Sequence, residues 1–392
     1  MPDYLAEAQS LFEYTRHLRR DFHRHPELGF REVRTAGIVA RELNELGLEV
    51  ASGVAETGVV ALLETGRPGP VVLLRFDMDA LPIHEETGAE YASQTPGVMH
   101  ACGHDGHTAI GLTVARLLHA HRHELAGTVK FVFQPAEEGL GGAQRMVSEG
   151  VLENPRPDVS LAAHLWNSQP VGWVGVTPGP AMSGAESFTI RLTGRGGHAA
   201  MPHTAIDPVL AAAHIITALQ SVVSRNVHPL EAAVVSVTRV RSGETMNVIP
   251  SAAELMGTIR TFKPEVRARV LGRFEHLVEN VAAALDCQAQ VELDNMTLPV
   301  DNDPQVAARV QSVARTLLPE GELETEHRTM GSEDFAFMMQ DVPGCFVFVG
   351  SANAEQGLNA PHHHPRFDFD ERALPRAAGL LAAAAADFLL NP

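Results

Sequence analysis

The sequence predicts an α/β protein: a mostly parallel central sheet flanked by helices, with a smaller ferredoxin-like α+β domain inserted into it. Two observations carry this. In the first section of the chain short apolar runs alternate with segments of helical periodicity, the pattern of strands buried on both faces between helices. From about residue 186 the order becomes strand, helix, strand, strand, helix, strand, which is that of the split βαβ unit.

The elements follow in order. EAQSLFEYTRHLRRDFHRHP and EVRTAGIVARELNELG repeat apolar residues at helical spacing, and Gly47 supplies a stop. GVVALLE, VVLLRF, TVKFVFQ and VSLAAHL are short and rich in β-branched residues, as buried strands are, with a helix from roughly 107 to 120 between the second and third. ESFTIRLTG, AAVVSVTRV, AAELMGTIRTF and QAQVELD read as the strands of the inserted domain. DPVLAAAHIITALQSVVS and VRARVLGRFEHLVENVAAALD read as its helices. This makes a unit of about 110 residues, an ordinary domain size. After roughly 297 the helix PQVAARVQSVARTLL, the strand CFVFVG and a final helix resume the first style.

Composition narrows the partners. With 392 residues, 45% of them hydrophobic, the chain is long enough for two cores. Against 48 acidic residues stand 30 Lys and Arg, a formal charge of −18, which opposes binding to nucleic acid and to anionic membrane surfaces and favours a small-molecule partner. Cys102, Cys287 and Cys345 are few, odd in number and far apart, so they predict no disulfide framework and fit a reducing, cytoplasmic location. The first 20 residues lack the apolar core of a signal peptide. AAGLLAAAAA is interrupted by Asp387 after ten residues, too short to span a bilayer, and predicts a packed terminal helix in a soluble protein.

The stretch HACGHDGH, His100 to His107, concentrates thiol, imidazole and carboxylate groups, the ligands of a borderline-soft divalent metal. Taken alone it also fits a polar loop with Asp105 and Thr108 as helix caps. VVLLRF runs into Asp77 and Asp79, TVKFVFQ runs into Glu137 and Glu138, and VSLAAHL carries His164. Open α/β sheets place their sites at the carboxyl ends of strands, so these groups can converge on one rim. Side chains of consecutive extended residues point apart, which suits two glutamates with divided roles, one on a metal and one acting as a base. The same acids would also suit the start of the helix GGAQRMVSEGVL. His164 alone reads as a core histidine, and HHHP at 362–365 as a remote ligand donor or a solvated loop. GRGGHAAMPH is either a turn that approaches a ligand closely or a flexible exposed one.

HACGHDGH, QPAEEGLGGA, AAHLW, GRGGHAAMPH, MNVIP, GSEDFA and HHPRFDFDE, in this order, together with HRHPELGF from residue 23, resemble the metal-dependent aminoacylase and carboxypeptidase family. The likeness is to the branch of hippurate hydrolases, N-acyl-amino-acid amidohydrolases and plant auxin-conjugate hydrolases, over nearly the whole chain. It implies a dinuclear-metal exopeptidase-like catalytic domain (1–184 and 297–392) and an inserted lid and dimerisation domain (185–296). Two divalent metal ions are implied, Zn or Mn, with Co or Ni admitted. Their ligands would be Cys102, His104, Glu138, His164 and His363, with the cysteine bridging where other branches use an aspartate. The family's HxP pattern selects His363, with His362 as the alternative. Asp77 stands where other branches have a histidine, so Asp77 and Asp79 are expected behind the ligands rather than among them.

The resemblance further makes Glu137 the general base and brings His198 to the partner subunit's site, to steady the oxyanion. Asn247 and Arg260 would hold the substrate's carboxyl group, for which arginine's planar fork is suited. On sequence alone Arg260 reads as a surface charge. The implied activity is hydrolysis of an N-acyl amino acid or short peptide by a homodimer, with a tetramer admitted. Two other classes stand beside it: a cysteine-dependent amidohydrolase using Cys102, and a non-catalytic, metal-dependent N-acyl amino acid binding protein.

Overall fold

Strands Val71–Asp77, Thr128–Gln134, Val159–Pro170 and Gly344–Ala352 are the parallel centre of an eight-stranded sheet, and their apolar runs are buried along nearly their whole length. In this computed structural model residues 2–319 and 321–391 are described. The chain divides into two units. The larger comprises residues up to Ala181, Val300–Arg328 and the chain from Asp334 onward, and the smaller comprises Met182–Pro299 with Thr329–Glu333.

In the larger unit the edge of the sheet departs from the parallel pattern. Gly58–Glu64 pairs antiparallel with Thr128–Gln134 and with Glu49–Val54. That last strand is invisible in the sequence pattern because EVASGV is mostly exposed and has no apolar alternation. The single N-terminal helix expected from periodicity is two, Tyr4–Ser10 and Phe12–Arg24, separated at Leu11. The terminal helix is longer than its alanine run: Ala373–Leu390 spans 18 residues with a mean hydropathy of 1.5, long and apolar enough to cross a membrane. Of its residues 83% are buried, and it packs against helices Tyr4–Ser10, His104–Ala120 and Pro304–Leu317. One core unites these helices with the sheet through residues such as Phe22, Phe76, Leu118, Phe133 and Leu381. Each such side chain contributes about 1.5–3 kcal/mol by leaving water.

The smaller unit holds a four-stranded antiparallel sheet in the order Ala233–Ser242, Ala252–Thr261, Gly184–Thr193, Gln288–Thr297. This is the ferredoxin-like arrangement. Helices Pro208–Asn226 and Pro264–Ala283 cover one face, both opening on proline, whose missing N–H is no loss at a helix start. Asp207 caps the first of them by accepting from Val209 N at 2.8 Å. Phe188, Leu219, Leu255, Ile259 and Phe274 form this unit's own core.

Candidate metal centre

Helix His104–Ala120 begins three residues before the expected start at 107, because Gly103 takes a φ of +91° that a side chain would resist. That turn brings Cys102 and His104 to the rim where the parallel strands end. The ligand atoms of Cys102, His104 and His164 lie within 4.8 Å of one another, and so do those of Cys102, Glu138 and His363. All five residues expected as ligands are therefore gathered in the larger unit, with Cys102 common to both groups. Glu137 joins His104 and Glu138 in a third group of the same compactness. His363, not His362, faces this cluster: its Nε2 is 3.2 Å from Glu138 Oε1, and its N–H donates to Ala101 O at 2.8 Å. His362 turns its Nε2 to Leu165 O at 2.9 Å.

The groups behind these donors orient them. His104 donates from Nδ1 to Asp79, at 2.9 Å from the carbonyl oxygen and 3.1 Å from Oδ1, while its buried Nε2 has no hydrogen-bond partner among the described residues. His164 donates from Nδ1 to Leu165 O at 2.7 Å, and its Nε2 lies 3.5 Å from Cys102 Sγ. Glu138 N donates to Asp79 Oδ2 at 3.0 Å. Asp77 and His107 also lie near His104, but their atoms are engaged with each other at 2.6 Å, with Arg75 Nη1 at 2.6 Å and with Leu165 N at 2.9 Å. They stand behind the cluster, as a carboxylate bonded to an imidazole does at metal sites.

Electrostatics and donor chemistry fit divalent cations. Burial works against a charge on His104, yet Asp77 and Asp79 hold it well above the usual histidine range, so this pocket favours a positive charge. Burial, with His107 and His362 nearby, keeps His164 well below that range and hence neutral, the state in which imidazole binds metal. Burial and the charge of Glu138 push the Cys102 thiol up, so a thiolate here calls for an adjacent cation.

The metal motif rests on a buried ionic network. Asp105 accepts from Arg19 Nε at 2.8 Å and from His23 Nδ1 at 2.7 Å, while Arg19 also donates to Asp368 at 2.7 Å and Glu371 at 3.2 Å. His100, beside it, has neither ring nitrogen bonded, and burial pulls it down to about 4. Burial likewise opposes a charge on His23, but the Asp105 carboxylate outweighs it and raises His23 from 6.5 to about 9. A histidine raised on folding stabilises fully below its unfolded value, and that stabilisation is lost as the pH rises through about 9. The loss is on the order of 3 kcal/mol. The melting temperature is therefore expected to fall between pH 6 and pH 9.5, and to fall less in His23→Gln; parallel declines in the two proteins would remove His23 as the cause.

His198, Asn247 and Arg260 lie in the smaller unit. Strand Gly197–His198 pairs with Val248–Ile249, and Ala199 N donates to Asn247 O at 3.0 Å, so His198 and Asn247 are neighbours on exposed turns. Arg260, in strand Ala252–Thr261, is half-buried and donates from Nη1 to Ser332 Oγ. Burial pulls its pKa down, against the charge of Glu186. It is not the freely solvated charge that its sequence context alone would allow.

Sequence reasoning gave no role to Asp334, although GSEDFA was among the motifs. Its carboxylate takes Gln134 Nε2 at 2.7 Å, Arg75 Nη2 at 3.0 Å and Ala143 N at 2.9 Å. It thus brackets both ends of the turn that carries Glu137 and Glu138. The partners are too distant in sequence for any local pattern to reveal.

A sheet rim that gathers thiol, imidazole and carboxylate donors, with a further carboxylate beside them, defines a metal-dependent hydrolase. The profile of peptidase family M20/M25/M40 matches residues 73–387, and the chain belongs to that family. Among its relatives, N-acetylcysteine deacetylase of Bacillus subtilis is 42% identical over 368 residues, covering 93% of this chain and 94% of that protein. IAA-amino acid hydrolase ILR1-like 4 of Arabidopsis thaliana is 40% identical over 391 residues, covering 99% and 88%. The crystal structure of Bacillus subtilis YXEP protein, described as a dinuclear metal binding peptidase from the M20 family, aligns with a TM-score of 0.85 at 37% identity, covering 97% of this chain and 99% of that one.

Proposed function

We propose that this protein hydrolyses the amide bond of N-acyl amino acids, of N-acetyl or N-benzoyl type, or of short peptides, releasing a carboxylic acid and a free amino acid. The observation that carries the proposal is the division within the glutamate pair. Glu138 shares a donor group with Cys102 and His363, whereas Glu137 stands beside His104 outside both groups that contain the cysteine. The reading is supported by relatives named for N-acetylcysteine and for IAA-amino acids.

Cys102, His104, Glu138, His164 and His363 would hold two divalent cations, zinc or manganese, with cobalt or nickel admitted by the mixed S, N and O donors. When bound, such cations supply Lewis acidity, acidifying water and polarising a carbonyl. Glu137 takes the proton of the attacking water and returns it to the departing nitrogen, since an amide anion is too basic to leave unprotonated. His198, supplied by a second copy of the chain, donates to the oxyanion. Arg260 and Asn247 hold the substrate's free carboxylate and so fix the scissile bond.

A homodimer formed through the smaller unit belongs to the same proposal. Its support is the edge strand Ala233–Ser242, whose outer side has no neighbouring strand among the described residues, and the exposed Val209, Leu210, Leu230, Val240 and Met246. The cytosolic location proposed with it is supported by three unpaired cysteines.

The deciding experiment strips the protein with chelator, restores each metal in turn and assays amine release from N-acetyl, N-benzoyl and dipeptide substrates, with the mass of the same preparations read by light scattering. Chelator-sensitive hydrolysis of at least one N-acyl amino acid by a two-chain particle is expected. A panel negative with every metal would end the proposal, and a single-chain mass in an active preparation would end its dimeric part.

A further inference from the structure

We infer that the N-terminal segment Pro26–Glu32 is a positioning element for the catalytic carboxylate: Gly29 and Glu32 hold Ala136 in a left-handed backbone conformation, and that conformation aims Glu137. The inference rests on the proposed role of Glu137 as general base.

Ala136, immediately before Glu137, is fully buried and has a φ of +56°. An L-residue adopts this conformation against steric resistance and keeps it only where its surroundings impose it. Two contacts do so here. Ala136 N donates to Glu32 Oε1 at 3.0 Å, and the other oxygen of Glu32 accepts the Thr57 hydroxyl. Gly29 lies so close that a Cβ on it would come within 3.0 Å of both Cα and Cβ of Ala136 and 2.7 Å of Leu140 Cδ1. Only glycine lets the segment lie against this turn.

The segment is itself anchored. Glu27 caps helix Val33–Glu45, accepting from Arg34 N and Thr35 N at 2.9 Å each. Its carbonyl accepts Ala80 N at 2.9 Å, and Leu28 bridges Ala80, so the segment also braces the turn that carries Asp79. Two strand-end turns that are distant in sequence, one before Ala80 and one around Ala136, are thus referenced to one rigid piece. Glu138 has a separate tether, through its N–H to Asp79 Oδ2. Loosening Ala136 should therefore misdirect Glu137 while leaving the metal donors in place. Burial raises Glu32 to about 7, so near neutrality much of it is uncharged. An acceptor, not a charge, is what Ala136 requires.

The test compares kcat, KM and metal content of four variants with those of the wild type. Glu32→Ala is expected to lower kcat about 10- to 100-fold, the usual consequence of a catalytic group displaced by about 1 Å, with KM and metal content little changed. Glu32→Gln, which keeps the acceptor, should retain most of kcat. Adding Ala136→Gly to Glu32→Ala should recover part of the loss, because glycine enters the left-handed region without steric penalty. Gly29→Ala should lower kcat as Glu32→Ala does, and it decides the matter if Glu32→Ala fails to fold. Unchanged kcat in Glu32→Ala and Gly29→Ala overturns the inference, as does loss of activity that simply follows loss of metal. A Glu137→Ala control in the same assay separates the two readings: retained activity there removes the base assignment, whereas an inactive control beside fully active Glu32→Ala and Gly29→Ala removes the positioning role alone.

Discussion

Glu137→Ala is expected to lower kcat by about 10²–10⁴-fold, the contribution of a positioned general base, while metal content stays at the wild-type level. The asymmetry follows from the geometry. Glu138 is grouped with Cys102 and His363, so its removal takes away a proposed metal donor, but Glu137, which is grouped with His104 and Glu138, shares no donor group with Cys102 among the described residues. Metal analysis and steady-state kinetics on the same preparation read both halves of the expectation. Retention of more than about a tenth of wild-type kcat would exclude proton transfer by Glu137. The mirror variant, Glu138→Ala, should lose metal and activity together.

Cys102 gives the second large effect, and here the two enzymatic readings of the sequence predict opposite outcomes. In its proposed role as a ligand common to two donor groups, its replacement by alanine should deplete bound metal and reduce activity by more than about 100-fold, beyond the 10–100-fold cost of losing a mere supporting group. Cys102→Asp supplies an anionic oxygen donor in place of the thiolate and, with Cys102 in its proposed ligand role, should recover metal content and activity to within about 10-fold of wild type. A nucleophilic cysteine would give the reverse, since a carboxylate cannot replace the thiolate in a thioester pathway. An inactive Cys102→Asp protein with full metal content would therefore favour the nucleophile. The direction of the Cys102 shift, upward through burial and the charge of Glu138, runs against a thiolate poised without a cation.

Legibility followed burial. VVLLRF, TVKFVFQ and VSLAAHL were readable because both faces of a central parallel strand are covered, so the apolar run is continuous. Glu49–Val54 was not, because an exposed edge strand has no such constraint. The start of helix His104–Ala120 is not legible, because nothing in HACGHDGH announces that Gly103, rather than Asp105 or Thr108, makes the turn. HRHPELGF was legible as a motif and opaque in purpose, since Gly29 and Glu32 act on Ala136, over a hundred residues away.

The kinds of donor, their order along the chain and the strand ends that would present them are all written in the amino-acid order. That is because ligand chemistry is a property of residue type, and the site of an open α/β sheet is a property of strand direction. Which of the abundant histidines and carboxylates face the cluster is set by how distant segments pack. His362, His107, Asp77 and Asp105 have the same chemistry as the donors, but each is bound to a backbone group or a buried partner. His104 Nε2 has no hydrogen-bond partner among the described residues. Leaving a buried polar atom without a partner is costly, and which atoms remain for the metal depends on hydrogen bonds between segments that meet only in the folded chain.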